Sequence, residues 1–258
     1  METEDDFEDE DNEGRDPPRY EGPEEIDFMA LPRSLGKLHF FWDDMFLRSQ
    51  AINLALVDQF LTEIEYQNLR VYLLEERTPG ETYFLLAQSQ MWIFAAYELV
   101  RTWDQRIREL IKWHANSGLE VKLKFLKEKF AEDDRYGVTI RIKQIEKILS
   151  GEIPISEVDA HRRHLHIQFK RLEWLRVALA KHEVSGSPNT PARMPGYGRI
   201  NQWCGSLDFE LENEKYGMGY VNRRDVANGL RYLDLTLPAP SKTELDLYDD
   251  FMSGKISK

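Results

Sequence analysis

The apolar spacing between residues 92 and 111 constrains this chain more than any other feature. Trp92, Ile93, Ala96, Tyr97, Val100, Trp103, Ile107, Leu110 and Ile111 keep a sustained three-and-four spacing. That spacing gathers them on one stripe of an α-helix and on no single face of a strand. Such a stripe needs a partner surface. The chain is therefore expected to fold as packed helices. The pattern predicts a helix starting near Thr82 and stopped by Asn116, Ser117 and Gly118.

Further helices follow from the same reading. Val57, Phe60, Leu61, Ile64, Leu69 and Tyr72 predict one over residues 53–76, ended by Thr78, Pro79 and Gly80. A Lys-rich helix is expected over 119–131, with Val121, Phe125 and Leu126 on one side. Ile140, Ile142, Ile145 and Ile148 predict another over 138–149, broken by Gly151 and Pro154. A fifth long helix should start near Ser156, where Glu157 and Asp159 suit the positive helix N-terminus. Its stripe is Val158, Leu165, Phe169, Leu172, Leu175 and Leu179. Residues 185–195 read as loop. Two strand-like runs, 197–203 and 207–211, flank Cys204, Gly205 and Ser206 and suggest a hairpin. A last helix is expected over 225–232.

Residues 26–42 read as an irregular aromatic lead that docks on the core, and residues 236–258 as a C-terminal tail. In that tail Leu245, Leu247, Tyr248, Phe251 and Met252 stand among acids, which suits either disorder or a short docking peptide. The expected architecture is mainly α. It is a single domain over 26–235, a bundle of about five helices with one small β-hairpin at about 197–211 in the C-terminal part.

The formal net charge of −12 is unevenly placed. Residues 1–25 hold thirteen Asp or Glu against two Arg, so −11 falls there and −1 on the rest. This stretch reads as a disordered acidic tail, either a solubilising arm or an electrostatic mimic that covers a basic surface. A nearly neutral body leaves a nucleic-acid partner open, because local charge decides that. No apolar run reaches the roughly 18–20 residues a membrane helix needs, so no membrane association is expected. The start lacks the basic and apolar regions of a secretory signal. The single cysteine, Cys204, excludes an internal disulfide framework and a multi-cysteine zinc site, and points to a reducing cytoplasm.

One pair carries candidate chemistry. Arg176 and His182 lie six residues apart at the end of the fifth helix. A neutral histidine can take a proton from a ribose 2′-OH, and an arginine can hold the phosphate. An Arg, four to six residues and then a His, late in a helical bundle, resembles the HEPN superfamily, many of whose members are RNases. The resemblance covers this short motif and the helical architecture. It implies metal-independent RNA cleavage or RNA binding, with His182 as general base and Arg176 as phosphate binder. It also implies a homodimer, because two subunits of that family usually form one composite site. On a straight helix, however, six residues turn about 600°, which leaves the two side chains about 120° apart. The pair needs a helix end, a bend or a second subunit. In the alternative, His182 and Lys181 answer the negative helix C-terminus and the chain is a non-catalytic helical interaction module. The same spacing recurs at Arg108 and His114.

Arg162, Arg163, Lys170 and Arg171, with Arg176 and Lys181, form a basic run that can meet a nucleic-acid backbone, solvent or the acidic tail. Glu157, His161 and His164 share a helix face and read as polar and solvated rather than as a metal site. No metal and no cofactor is expected. The glycines around Tyr197 lack the Gly-Lys-Ser/Thr of a phosphate loop. Beyond RNA and a second copy, a protein partner reached through the tails remains open.

Overall fold

Thr82–Ala115 forms one uninterrupted helix, as its spacing requires. In the computed structural model, which describes residues 20–132, 135–184, 189–192, 198–213, 215 and 217–255, that helix is the third of eight. In chain order the helices are α1 (Ala30–Leu35), α2 (Met45–Glu75), α3 (Thr82–Ala115), α4 (Leu119–Lys129), α5 (Tyr136–Leu149), α6 (Ile155–Lys181), α7 (Arg223–Arg231) and α8 (Lys242–Met252). Strands β1 (Gly198–Ile200), β2 (Leu207–Glu212) and β3 (Gly217–Asn222) lie between α6 and α7 and form an antiparallel sheet in that order. The protein is mainly α.

Helices α2 and α3 run antiparallel through a short connection. Asp44 caps α2 by accepting from the N–H groups of Phe46 (2.8 Å) and Leu47 (3.2 Å). The Trp92 indole donates across the pair to the Leu54 carbonyl (3.0 Å). Trp92, Ile93, Ala96, Val100, Trp103, Ile107 and Leu110 are all buried. Helix α6 packs on the other side of α3 through Val158, Leu165, Leu172, Leu175 and Leu179. Cys204 lies at the turn between β1 and β2, and Gly205 brings that turn against α2. A Cβ at Gly205 would stand 2.0 Å from the Glu65 carbonyl oxygen, and φ is +72°. Only glycine fits there.

The expected bundle of about five helices gains α1, α8 and a third strand. Helix α1 orders part of the irregular lead, where Leu31 and Leu35 are fully buried. The hairpin extends to β3, whose Gly217-Met218-Gly219-Tyr220 lacks the apolar alternation that marks a strand. The C-terminal tail is corrected from disorder. Ser241 and Glu244 form a capping box that starts α8, which seats Leu245 and Met252 against the core. Residues 1–19 of the expected acidic tail lie outside the described residues. Residues 20–25 instead engage the body: the Tyr20 hydroxyl donates to Asp225 (2.8 Å), and the Glu21 carbonyl accepts from Tyr66 (3.0 Å) and Arg224 (2.8 Å).

Helix α7 carries the least expected feature. Arg223, Arg224 and Arg231 are buried, although its sequence reads as a charged surface helix. The Arg223 guanidinium donates to Glu65 (2.9 and 2.6 Å), to Thr62 (3.1 Å) and to Asp58, and Arg231 pairs with the second oxygen of Asp58. Asp58, Glu65 and Arg223 have no exposed side-chain surface. Burial opposes the Arg223 charge, but the carboxylates of Glu65 and Asp58 outweigh it and hold its pKa above the ordinary arginine value. Truncating Arg223 would strip the buried Glu65 of its hydrogen-bonded cation and leave the buried Asp58 with Arg231 alone. Arg223→Met should therefore cost about 3–5 kcal/mol in urea unfolding. Arg101→Met, at the exposed pair with Glu98, should change little. Equal effects at the two sites would contradict this account.

Candidate functional site

The candidate residues lie on α6, which is held between α3 on one side and α7 and α8 on the others. Arg162 donates to Asp104 (2.9 Å), a buried carboxylate of α3 that also pairs with Arg108 (2.7 Å). Arg163 donates to Asp159 (3.1 Å) and to the carbonyls of Ala239 (3.4 Å) and Pro240 in the segment leading to α8. Lys170 pairs with Glu173 (2.8 Å). Burial raises the Tyr248 phenol of α8, and the charge and hydrogen bond of Arg171 pull the other way. All four cations expected to meet nucleic acid are thus engaged within the chain.

Arg176 and His182 are not brought together. The Arg176 guanidinium lies 5.6 Å above the Tyr97 ring, which stacks on Phe169 (5.8 Å, 11°). His182 is the C-cap of α6, in the left-handed conformation (φ 57°, ψ 33°), and its side chain is exposed. Its N–H donates to the Ala178 carbonyl (3.2 Å), and its own carbonyl accepts from Ala192 (2.9 Å). The backbone around His182 is therefore tied to residues 190–192, while the imidazole stays in solvent. His114, the second histidine with this spacing, is also exposed.

The expected solvated face of Glu157, His161 and His164 is corrected at His161, while the Glu157 side chain stays 59% exposed. His161 is half-buried beneath His39, with the rings 4.2 Å apart and 12° from parallel. The His39 N–H donates to His161 Nδ1 (3.0 Å), and His39 Nε2 lies 3.3 Å from Glu157. Burial, then the charges of His39 and His164, lower the His161 pKa to about 4, against a smaller opposing effect of Glu157. Protonation at Nδ1 would also cost the hydrogen bond from His39. Among the described residues, no group of three or more His, Cys, Asp or Glu is placed to hold a metal ion.

Outside α6, Cys204 and Asp208 offer no acid–base pair. Burial pushes the Cys204 thiol up to about 12, so it is not a thiolate nucleophile. Asp208 accepts from Asn201 (3.1 and 3.2 Å) and Asn222 (2.9 Å), and burial raises its pKa. A cleft of about 620 Å³ lies between the α2–α3 connection and β1, lined by Tyr72, Tyr83, Leu86, Arg199 and Gln202 among others, with no Asp, Glu or His among the described lining residues.

Two surfaces escape the sequence reading. The first is the groove between α2 and α3, where Phe46, Val57, Phe60, Phe84 and Met91 are exposed. The second is the α4–α5 hairpin, where cations sit over aromatic rings. Lys122 lies 5.0 Å from both the Trp113 and Phe125 rings, Lys129 5.2 Å from Phe125 and 5.6 Å from Phe130, and Arg141 4.9 Å from Trp113. The spacing of Lys122, Phe125 and Lys129, three and four residues apart, was the available signal, because such residues are neighbours on a helix.

No family model, curated protein or solved structure matches this chain.

The lowered His161 pKa has a consequence for stability. Below its ordinary value of 6.5 the unfolded histidine takes a proton that the folded one refuses until about 4. Its contribution is present above pH 6.5 and should be lost as pH falls towards 4. The slope of unfolding free energy against pH across that window should be shallower in His161→Gln than in wild type. Equal slopes would remove His161 as the cause.

Proposed function

We propose that this chain is a non-catalytic helical interaction module that works as a pair of copies joined through the α2–α3 groove. The observation that carries this reading is the apolar lining of that groove, in which Phe60 is 52% and Met91 63% exposed. On α2, Phe46, Val57, Phe60 and Ile64 fall within about 60° of one another around the axis. On α3, Phe84, Met91 and Ala95 do the same. Hydrogen-bonded Leu54 and Trp92 fix the register, so Val57 and Phe60 stand opposite Met91 and Phe84. Residues Phe46, Gln50, Ala95, Glu98 and Thr102 line the groove's continuation.

Phe46 to Ile64 covers about 27 Å, and two adjacent helices are about 20 Å wide. That is about 540 Å² in flat projection, which side-chain relief enlarges towards the roughly 800 Å² per partner of a standard interface. Two antiparallel helix pairs meeting face to face make a four-helix bundle, and a two-fold axis supplies the same patch twice. No helix among the described residues is long and apolar enough to cross a membrane. The single cysteine suits a reducing cytoplasm.

In sedimentation equilibrium the wild type should run at twice the chain mass. The double variant Phe60→Glu with Met91→Glu should raise the dissociation constant by about 100-fold or more. A wild type that stays monomeric at tens of micromolar would end this proposal.

The exposed imidazole of His182 favours a second reading, in which a composite site across two HEPN-like subunits cleaves RNA with Arg176 on the phosphate. Here the purified protein would cleave RNA in EDTA, and His182→Ala would abolish the activity. Intact RNA with the wild type leaves the non-catalytic reading alone.

A further inference from the structure

We propose that residues 1–19 of this chain dock, in the same molecule, on the cation–aromatic face of the α4–α5 hairpin. The face is built by Trp113 at the end of α3, Phe125 and Phe130, and by the cations that lie over them, chiefly Lys122 and Lys129. Neither lysine has a carboxylate partner among the described residues, whereas Lys124 and Lys127 pair with Glu128 (3.8 Å) and Glu146 (2.7 Å). An aromatic ring holds an ammonium group in place but does not neutralise it. These lysines therefore keep their charge and their donors for an anionic visitor.

Charge selects the occupant. Residues 119–149 carry eight Lys or Arg against six Asp or Glu. Residues 1–19 carry ten Asp or Glu against two Arg, a net −8. Within them Phe7 is the sole aromatic, set between Asp5-Asp6 and Glu8-Asp9. An aromatic flanked by carboxylates is the complement of aromatics flanked by ammonium groups. In the basic run of α6, the other candidate for this segment, Arg162, Arg163 and Lys170 are already engaged with Asp104, Asp159, Glu173 and the α8 segment.

The reach is sufficient. Tyr20 and Glu21 are held beside Tyr66 near the far end of α2. The α4–α5 hairpin meets the near end, where the Met45 N–H donates to the Tyr136 hydroxyl (3.1 Å). Met45 and Tyr66 are 21 residues apart in α2, or about 31 Å. Nineteen residues span at most about 65 Å, so the segment can cross this distance and still lie along the face.

The test is carbodiimide cross-linking of the full chain, which joins carboxylates to lysine amines, read by peptide mass spectrometry on a mixture of isotope-labelled and unlabelled protein. The expected links join residues 2–13 to Lys122 or Lys129 within one chain. Their yield should fall about tenfold in 1 M salt, where the screening length is only about 3 Å. It should fall similarly in Lys122→Glu with Lys129→Glu and in E8Q/D9N/E10Q/D11N. Links spread equally to Lys37, Lys181 and Lys242, or found only between labelled and unlabelled chains, would overturn the proposal. So would an absence of links while an oligouridylate binds the wild type and the acid-neutralised variant equally, which would assign the face to nucleic acid.

Discussion

The position of α7 depends on the ion pairs of Arg223 and Arg231 with Asp58 and Glu65, and much of the fold depends on α7. Five charged groups, Asp58, Glu65, Arg223, Arg224 and Arg231, have no exposed side-chain surface in the contact between α7 and α2. Removing charges from water costs several kcal/mol per ion, and only near-complete pairing offsets it. Apolar stripes tolerate sliding, because one leucine replaces another at similar energy. This network does not: a one-turn shift of about 5.4 Å would leave carboxylates buried and unpaired. The network therefore fixes the register in which the C-terminal third returns to α2. The N-terminal segment is fixed by the same contact. Arg224, the third buried arginine, donates to the Glu21 carbonyl and lies 5.8 Å from the Tyr66 ring.

The same logic separates α6 from α4 and α5. Both regions are rich in cations, and from composition either could meet a polyanion. On α6 the cations are answered by acids of α3 and of α6 itself, and by the carbonyls that precede α8. They hold three elements together and leave little charge for a visitor. Arg176 departs from this pattern, because its guanidinium lies over Tyr97, which restrains it without neutralising it. His182 stands apart, because its left-handed backbone ends the helix and turns the imidazole outward.

The helices were legible because burial on one side writes a period into the sequence. The long stripes of α3 and α6 located those helices to within a residue or two at each end. Helix α2 starts eight residues earlier than its apolar spacing indicates, because Asp44 rather than a stripe sets its first turn. Strand β3 and helix α1 left no period to read: one is glycine-rich and the other only six residues long. The arginines of α7 were illegible for a different reason. Nothing local in Arg223-Arg224-Asp225 says that Asp58 and Glu65, more than 150 residues earlier, will meet them. The α6 residues were found by motif and spacing, but their partners lie on α3 and before α8, out of reach of any local pattern.

A lysine that answers a carboxylate and a lysine that answers an aromatic ring differ in what they leave for the solvent. The carboxylate cancels a unit charge and takes hydrogen bonds. The ring supplies only the attraction of its π face, worth about 0.5–1 kcal/mol at an exposed site, and the ammonium keeps its formal charge. Lys122, between Trp113 and Phe125, is thereby restrained without being neutralised. Restraint lowers the side-chain entropy that an incoming anion would otherwise have to remove. Residues 20–258 carry a net −4 once the −8 of residues 1–19 is set apart. On a body of that sign, a pre-ordered patch of retained positive charge favours the settling of an acidic segment.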